Sequence, residues 1–237
     1  MIRLRFDSSK RYADPRELPA YTIPAAAHHL RLPPATLRSW VLGRTYQTQA
    51  GPRKFKPIIR VPDPAGPLLS FFNLVEAHVL RGVRVLHHVS LHDIRRALDY
   101  LGKQFNSEHP LIEHRFETDG VHMFVRRLGK LIDASSQGQT VFVQVMGDHL
   151  KRLEFDDGRV VRLYPFTRPG NVGPKKILID PRLSFGRPVL AKTCIPVDVI
   201  GDRYKAGESI DELAEDYGCE RLEIEEAIRY ELPGEAA

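Results

Sequence analysis

The stretch from Leu69 to Leu86 (LSFFNLVEAHVLRGVRVL) most restricts what this chain can become. It is apolar on most sides, with Asn73, Glu76, Arg81 and Arg84 as the exceptions. A helix of that kind must be covered by neighbouring elements or by a second copy of the chain. It is therefore expected at the centre of the fold, and a homodimer seam is expected there because so little polar surface suits an exposed position. Charges interrupt it, and no stretch of the chain approaches the ~18 uninterrupted apolar residues of a membrane span. No membrane partner is expected. The charged N-terminus lacks the apolar core of a signal peptide. Cys194 and Cys219 form neither a disulfide framework nor a CxxC site, so a cytoplasmic location is expected.

The 237 residues, 42% of them hydrophobic, suffice for two or three small modules. Tyr21-Thr-Ile-Pro24 starts a helix with proline in its first turn, followed by the small residues Ala25, Ala26 and Ala27. Leu32-Pro33-Pro34 breaks the chain, and a second helix runs through Thr36, Leu37, Arg38, Trp40 and Leu42 to the stop at Gly43. Trp40 falls with Leu37 and Val41 on the packing side. Two short helices in this order form a helix-turn-helix whose second helix is the reader. From Arg44 to Arg60 there is no acid, five bases (Arg44, Arg53, Lys54, Lys56, Arg60) and a Gly51-Pro52 turn. That pattern predicts a basic β-hairpin wing, with Thr36 and Arg38 reading DNA and Arg44, Arg53, Lys54 and Lys56 on phosphates.

Further along, Ser90 and Asp93 cap a helix over Leu91 to Phe105, and Thr140–Leu150 reads as one short helix. Asp119-Gly120 and Asp157-Gly158 each predict a β-hairpin, over 116–125 and 153–164. Residues 167–176 (TRPGNVGPKK) read as a linker. Beyond it, Pro196–Lys205, a Ser209/Glu212 capping box and a last helix closed by Pro233 make three helices. The expected fold is mainly α with small β-hairpins (α+β). It divides into a tail and winged helix-turn-helix head (1–66), a dimerising scaffold (67–166), the linker, and a C-terminal helical domain (177–237).

Charge is unevenly distributed. Residues 206–235 hold eleven acids against Arg221 and Arg229, a net −9; with +5 overall, the remainder carries +14. A basic body suits operator DNA, whereas an acidic final helix would set carboxylates against phosphates. Glu212, Glu215, Asp216, Glu223 and Glu226 are therefore expected on exposed helix faces as a surface for a protein partner.

Residues 21–43 resemble the MerR-like helix-turn-helix pattern, an alanine-rich first helix followed by Thr36-Leu37-Arg38 and an aromatic. Ile177-Leu-Ile-Asp180-Pro181 through Gly186-Arg187-Pro188-Val189, Ile195-Pro196-Val197, Tyr204-Lys-Ala-Gly207 and Leu213–Tyr217 resemble a small bacterial domain family found beside PIN-like nuclease toxins. One departure is Lys192-Thr193-Cys194, where that family has Gly-Thr-Arg, so no role of that arginine carries over. The whole arrangement is similar to a long VapB-type antitoxin. The resemblance implies an antitoxin of a type II toxin–antitoxin system that neutralises a cognate PIN-like ribonuclease by protein–protein binding and autoregulates its operon. The alternative is a MerR-like transcriptional regulator that answers a small effector and has no toxin partner.

No GxSxG, P-loop, Rossmann glycine fingerprint or HExxH occurs, so no enzymatic activity and no cofactor are expected. His28-His29, His87-His88 and His92 lack a completing set at zinc spacing and read as structural, so no metal is expected.

Overall fold

The computed structural model of the chain describes residues 14–48, 51–63, 65–84, 90–114, 116–132, 136–168 and 173–232. Helix α1 (Ile23–His29) begins where Thr22 Oγ1 accepts the Ala25 N–H at 3.2 Å. Helix α2 (Pro34–Leu42) follows a turn in which Arg31 has φ 53°. Strands β1 (Arg44–Thr48) and β2 (Gly51–Phe55) pair antiparallel with Arg44 opposite Phe55, which is the expected wing.

Helix α3 (Phe71–Arg84) then enters the core, with every residue from Phe71 to Leu80 buried. Helix α4 (Leu91–Phe105), capped by Ser90, leads through a 3-10 turn (Pro110–Ile112) and a π turn (Phe116–Gly120) to α5 (Val121–Ile132) and α6 (Ser136–Leu150). A second hairpin, β3 (Leu153–Asp156) with β4 (Arg159–Leu163), closes the middle region. The C-terminal part has two-residue strands β5 (Ile177–Leu178) and β6 (Val189–Leu190), then α7 (Val197–Lys205), α8 (Ile210–Tyr217) and α9 (Arg221–Glu231). The fold is mainly helical with small hairpins, as the residue pattern predicts.

One expectation is corrected, and the ground for another is removed. The apolar helix does not need a second subunit, because α3 shares one core with Leu37, Trp40, Leu101, Phe124, Met146 and Leu163 of its own chain. Two of its polar exceptions, Asn73 and Glu76, are satisfied internally as well. Asn73 Nδ2 donates to the Arg60 carbonyl at 2.9 Å and to Glu76 at 3.1 Å, and Glu76 lies 2.9 Å from His109 Nδ1. The argument for a homodimer therefore lapses. Asp119-Gly120 also makes no hairpin. Phe116, Val121, Phe124, Val125 and Leu128 are buried at helical spacing, and that periodicity overrides the turn signal. Gly120 serves packing instead, since a Cβ there would stand 2.7 Å from the Phe116 ring.

A second core gathers Ile177, Leu190, Ile200, Leu213, Ile224 and Tyr230. The described residues of the 167–176 segment are tightly bonded between the two cores. The buried Arg152 donates to the carbonyls of Tyr164, Pro165 and Gly173 at 2.9, 2.9 and 3.1 Å. On the other side, the fully buried Glu226 carboxylate accepts bonds from the Thr167 hydroxyl, Arg168 and Arg229.

The head is fixed to the C-terminal module by side chains from both. Arg31 Nη2 donates to the carbonyls of Arg229 and Tyr230, with its guanidinium 5.4 Å above the Tyr230 ring. Tyr21 donates its hydroxyl to the Gly186 carbonyl at 2.9 Å. The Tyr230 hydroxyl lies 3.0 Å from His29 Nδ1, on a ring that burial holds neutral with its pKa lowered to about 4. His149, packed beside His78 and Phe166 in the middle region, is likewise lowered to about 4 by burial.

Two stability effects follow. Glu226→Ala removes the carboxylate that holds three donors, and urea unfolding should register a loss of about 3 kcal/mol, at the lower end for a broken buried pair because both arginines keep some access to water. His29 and His149 take up protons more readily unfolded, near pH 6.5, than folded. Their contribution is complete above that pH and is lost as pH falls toward 4, by up to about 1.4 kcal/mol per pH unit for each ring. Urea midpoints measured between pH 7.5 and 4.5 check this, and a flat profile would contradict it.

Candidate nucleic-acid interface and partner surface

Prolines 33 and 34 set the entry of α2: Pro33 is its N-cap and Pro34 its first residue, with no acid in the first turn. The helix buries Leu37, Trp40 and Val41 and leaves Arg38 exposed, with Thr36 half-buried beside it. Trp40 is thus a core residue. Its carbonyl accepts the N–H groups of Ile58 and Ile59 at 2.8 and 3.1 Å, which ties the chain leaving the wing back to the reading helix.

Arg44 and Lys56, at the two ends of the wing, are exposed. Among the described residues no carboxylate forms an ion pair with Arg38, Arg44 or Lys56. Arg53 and Lys54 occupy β2 opposite Tyr46 and Thr45, and their side chains lie outside the described ones. The head thus combines a helix packed by one face with the exposed cations Arg38, Arg44 and Lys56, which no described carboxylate pairs. Sequence reasoning missed Arg95 of α4, which braces the wing from behind. Its guanidinium sits 4.5 Å from the Phe55 ring centroid and donates to the carbonyls of Lys56 and Pro57. The residue spacing carries no signal for that contact, because Arg95 is 40 residues beyond Phe55.

The partner-facing acids divide. Glu212, Glu215 and Asp216 are exposed on α8. Glu223 and Glu226 are buried, which corrects the expectation of an exposed acidic face on the last helix. Glu223 accepts the Glu220 N–H at 3.1 Å in a capping box and pairs with Lys176 at 3.3 Å. The negative charge of this module is also met by cations from flanking elements. Arg203 pairs with Glu208 and Asp216, Arg221 with Asp211 and Glu225, and Lys176 with Glu220. Glu212 bonds back to the Ser209 N–H at 2.8 Å. Of the acids between Glu208 and Glu231, only Glu215 has neither an ion pair nor a capping bond among the described residues.

Two of the histidines singled out in the sequence lie beside residues of the last helix. His28 lies 3.8 Å from Glu231, His29 contacts Tyr230, and His87 and His88 are outside the described residues. Among the described residues, no three or more His, Cys, Asp or Glu gather as a ligand set, and no helix is long and apolar enough to cross a membrane.

Comparisons with known proteins agree with this layout. Residues 19–98 match the family model described as "Putative DNA-binding HTH domain", and residues 177–230 match "Protein of unknown function (DUF433)". With the reading helix and wing, the first match defines a helix-turn-helix protein of the DNA-binding class. The chain is 30% identical over 96% of its length, and 95% of the relative's, to a protein named "Putative antitoxin VapB45" from Mycobacterium tuberculosis H37Rv. The chain belongs to this family of long VapB-type antitoxins. It is also 25% identical to Rv2308 of the same organism, over 84% of each chain. The crystal structure of Rv2018 from M. tuberculosis has the same fold, at a TM-score of 0.65 and 22% identity, over 89% of this chain and 98% of that one.

Gly43 is the local key to the wing. It has φ 73°, and a Cβ there would stand 2.2 Å from the Phe55 carbonyl oxygen. Gly43→Ala should therefore splay β1 from β2. The expected result is a lower melting temperature and a loss of DNA affinity larger than that of any single wing cation, measured by calorimetry and fluorescence anisotropy.

Proposed function

We propose that this antitoxin binds operator DNA through its head and neutralises a PIN-like ribonuclease through its C-terminal module. Thr36 and Arg38 of α2 read base edges, and Arg44, Arg53, Lys54 and Lys56 hold phosphates on either side. The observation that carries the DNA reading is the set of exposed cations Arg38, Arg44 and Lys56, with no ion-pair partner among the described residues, around a helix packed by its opposite face. Phosphate binding needs cations free to release counterions. For the toxin, the module acts as a folded surface that covers the nuclease or holds it away from RNA, with Glu212, Glu215 and Asp216 of α8 on its exposed side. This half of the reading draws on the family and on the paired charges of the module.

A groove of about 970 Å³ between the wing base, α3 and α4, lined by Leu42, Ile58, Leu80, Arg95 and Leu98, supports a second reading as an effector-regulated transcription factor. Co-expression with the product of the adjacent gene separates the two, because an antitoxin purifies as a complex and a plain regulator emerges alone.

Two substitutions test the DNA interface. Lys56→Ala should weaken binding to all sequences alike and reduce the slope of log affinity against log salt by about 0.9. Arg38→Ala should cost about 1–3 kcal/mol on the operator while leaving binding to unrelated DNA nearly unchanged. Anisotropy titrations at several salt concentrations read both, and equal losses on all DNA for Arg38→Ala would remove it from the reading helix's code.

A further inference from the structure

Residues Ser184–Gly186 form a left-handed turn, with φ 45° at Ser184, 57° at Phe185 and 78° at Gly186. Glycine adopts this conformation freely, but serine and above all phenylalanine are strained in it. The same turn holds the Phe185 side chain 95% exposed, far more than any other large apolar side chain among the described residues. Strain and exposure are both unfavourable in the free protein, and their coincidence at one residue points to a use.

The turn is not loose. Its Gly186 carbonyl accepts the Tyr21 hydroxyl, the Gly186 N–H donates to Leu183 at 2.8 Å, and the Leu183 N–H donates to Asp180 at 2.9 Å. The buried Asp180 carboxylate in turn accepts the Arg182 N–H at 2.9 Å. Phe185 is therefore presented on a braced platform between the helix-turn-helix head and α7.

The surrounding charges indicate what kind of partner takes the ring. Arg182 pairs with Asp180 and Arg187 with Asp198, so the cations flanking Phe185 are already matched. The turn lacks the free positive charge that phosphates require. Among the described residues, the acids of the module are likewise engaged within the chain, apart from Glu215, so they hold little unspent attraction for a partner. Among the described residues of this module, Phe185 is by far the most exposed apolar side chain, ahead of Leu222 and Val199.

We propose that Phe185 is the anchor of the toxin-binding surface, inserting into an apolar pocket of the partner protein. The inference rests on the antitoxin reading and adds to it the residue that contributes most. A single desolvated aromatic at the centre of an interface commonly dominates its affinity.

The test uses the full chain, the protein encoded by the adjacent gene and a DNA fragment carrying the operator. Phe185→Asn removes the ring while keeping a residue that tolerates the left-handed region. The variant should melt no lower than the parent, keep its operator affinity, and bind the toxin at least about tenfold more weakly. Phe185→Leu should recover part of that loss. If the parent binds the toxin and Phe185→Asn binds it equally well, the anchor is wrong and the antitoxin reading stands. If the parent does not bind the toxin, that reading fails and the anchor goes with it. Loss of operator binding with toxin affinity intact would assign the ring to DNA. Loss of self-association alone would assign it to a second copy of the chain. Either result overturns the proposal.

Discussion

The last turn of α9 ends in carbonyls with no partner inside the helix, and the helix-turn-helix supplies one. Arg31, in a left-handed conformation between α1 and α2, reaches across and donates to the carbonyls of Arg229 and Tyr230. That contact joins positions 198 and 199 residues apart and lays the guanidinium over the Tyr230 ring. Much else in the molecule depends on it. Beside it Tyr230 meets His29 and Tyr21 bonds to Gly186, and together these contacts join the head to the C-terminal module.

The middle region reinforces this joint through buried polar groups. Arg152 gathers the carbonyls of Tyr164, Pro165 and Gly173, and Glu226 holds Thr167 and Arg168 to α9. Such groups are costly to bury unless their bonds are made, so they specify one arrangement strongly. A consequence for function is that the surface proposed for a toxin and the helix proposed for DNA do not hang on a free tether. A partner engaging the turn at Phe185 would press on a loop bonded to Tyr21, one residue before the cap of α1.

Much of the architecture was legible in the residues. Ser90 and the Ser209/Glu212 box each cap the helix that their pattern predicts. The acid-free stretch around Gly51 becomes the wing, and Asp157-Gly158 turns the second hairpin. These succeed because caps and tight turns are decided within four residues. Asp119-Gly120 makes no hairpin because the longer helical spacing of Phe116, Phe124 and Leu128 outweighs a two-residue turn signal. The homodimer argument failed for another reason: an apolar helix announces that it must be covered, but not by which residues.

The candidate site shows the same division. By itself, the sequence determined helix α2, the hairpin that follows it, the cations they carry and the family, because each rests on local spacing or on a run of matching residues. Only the tertiary structure decided which acids are surface and which are interior. Glu223 and Glu226 lie on the same helix as the half-exposed Glu225, and burial against Lys176, Thr167 and Arg168 separates them. It also decided that Arg95 braces the wing, that Arg31 caps a distant helix, and that Phe185 stands in solvent. Each depends on contacts between residues far apart in the chain, and such contacts are set by packing of the whole fold, which no local pattern encodes.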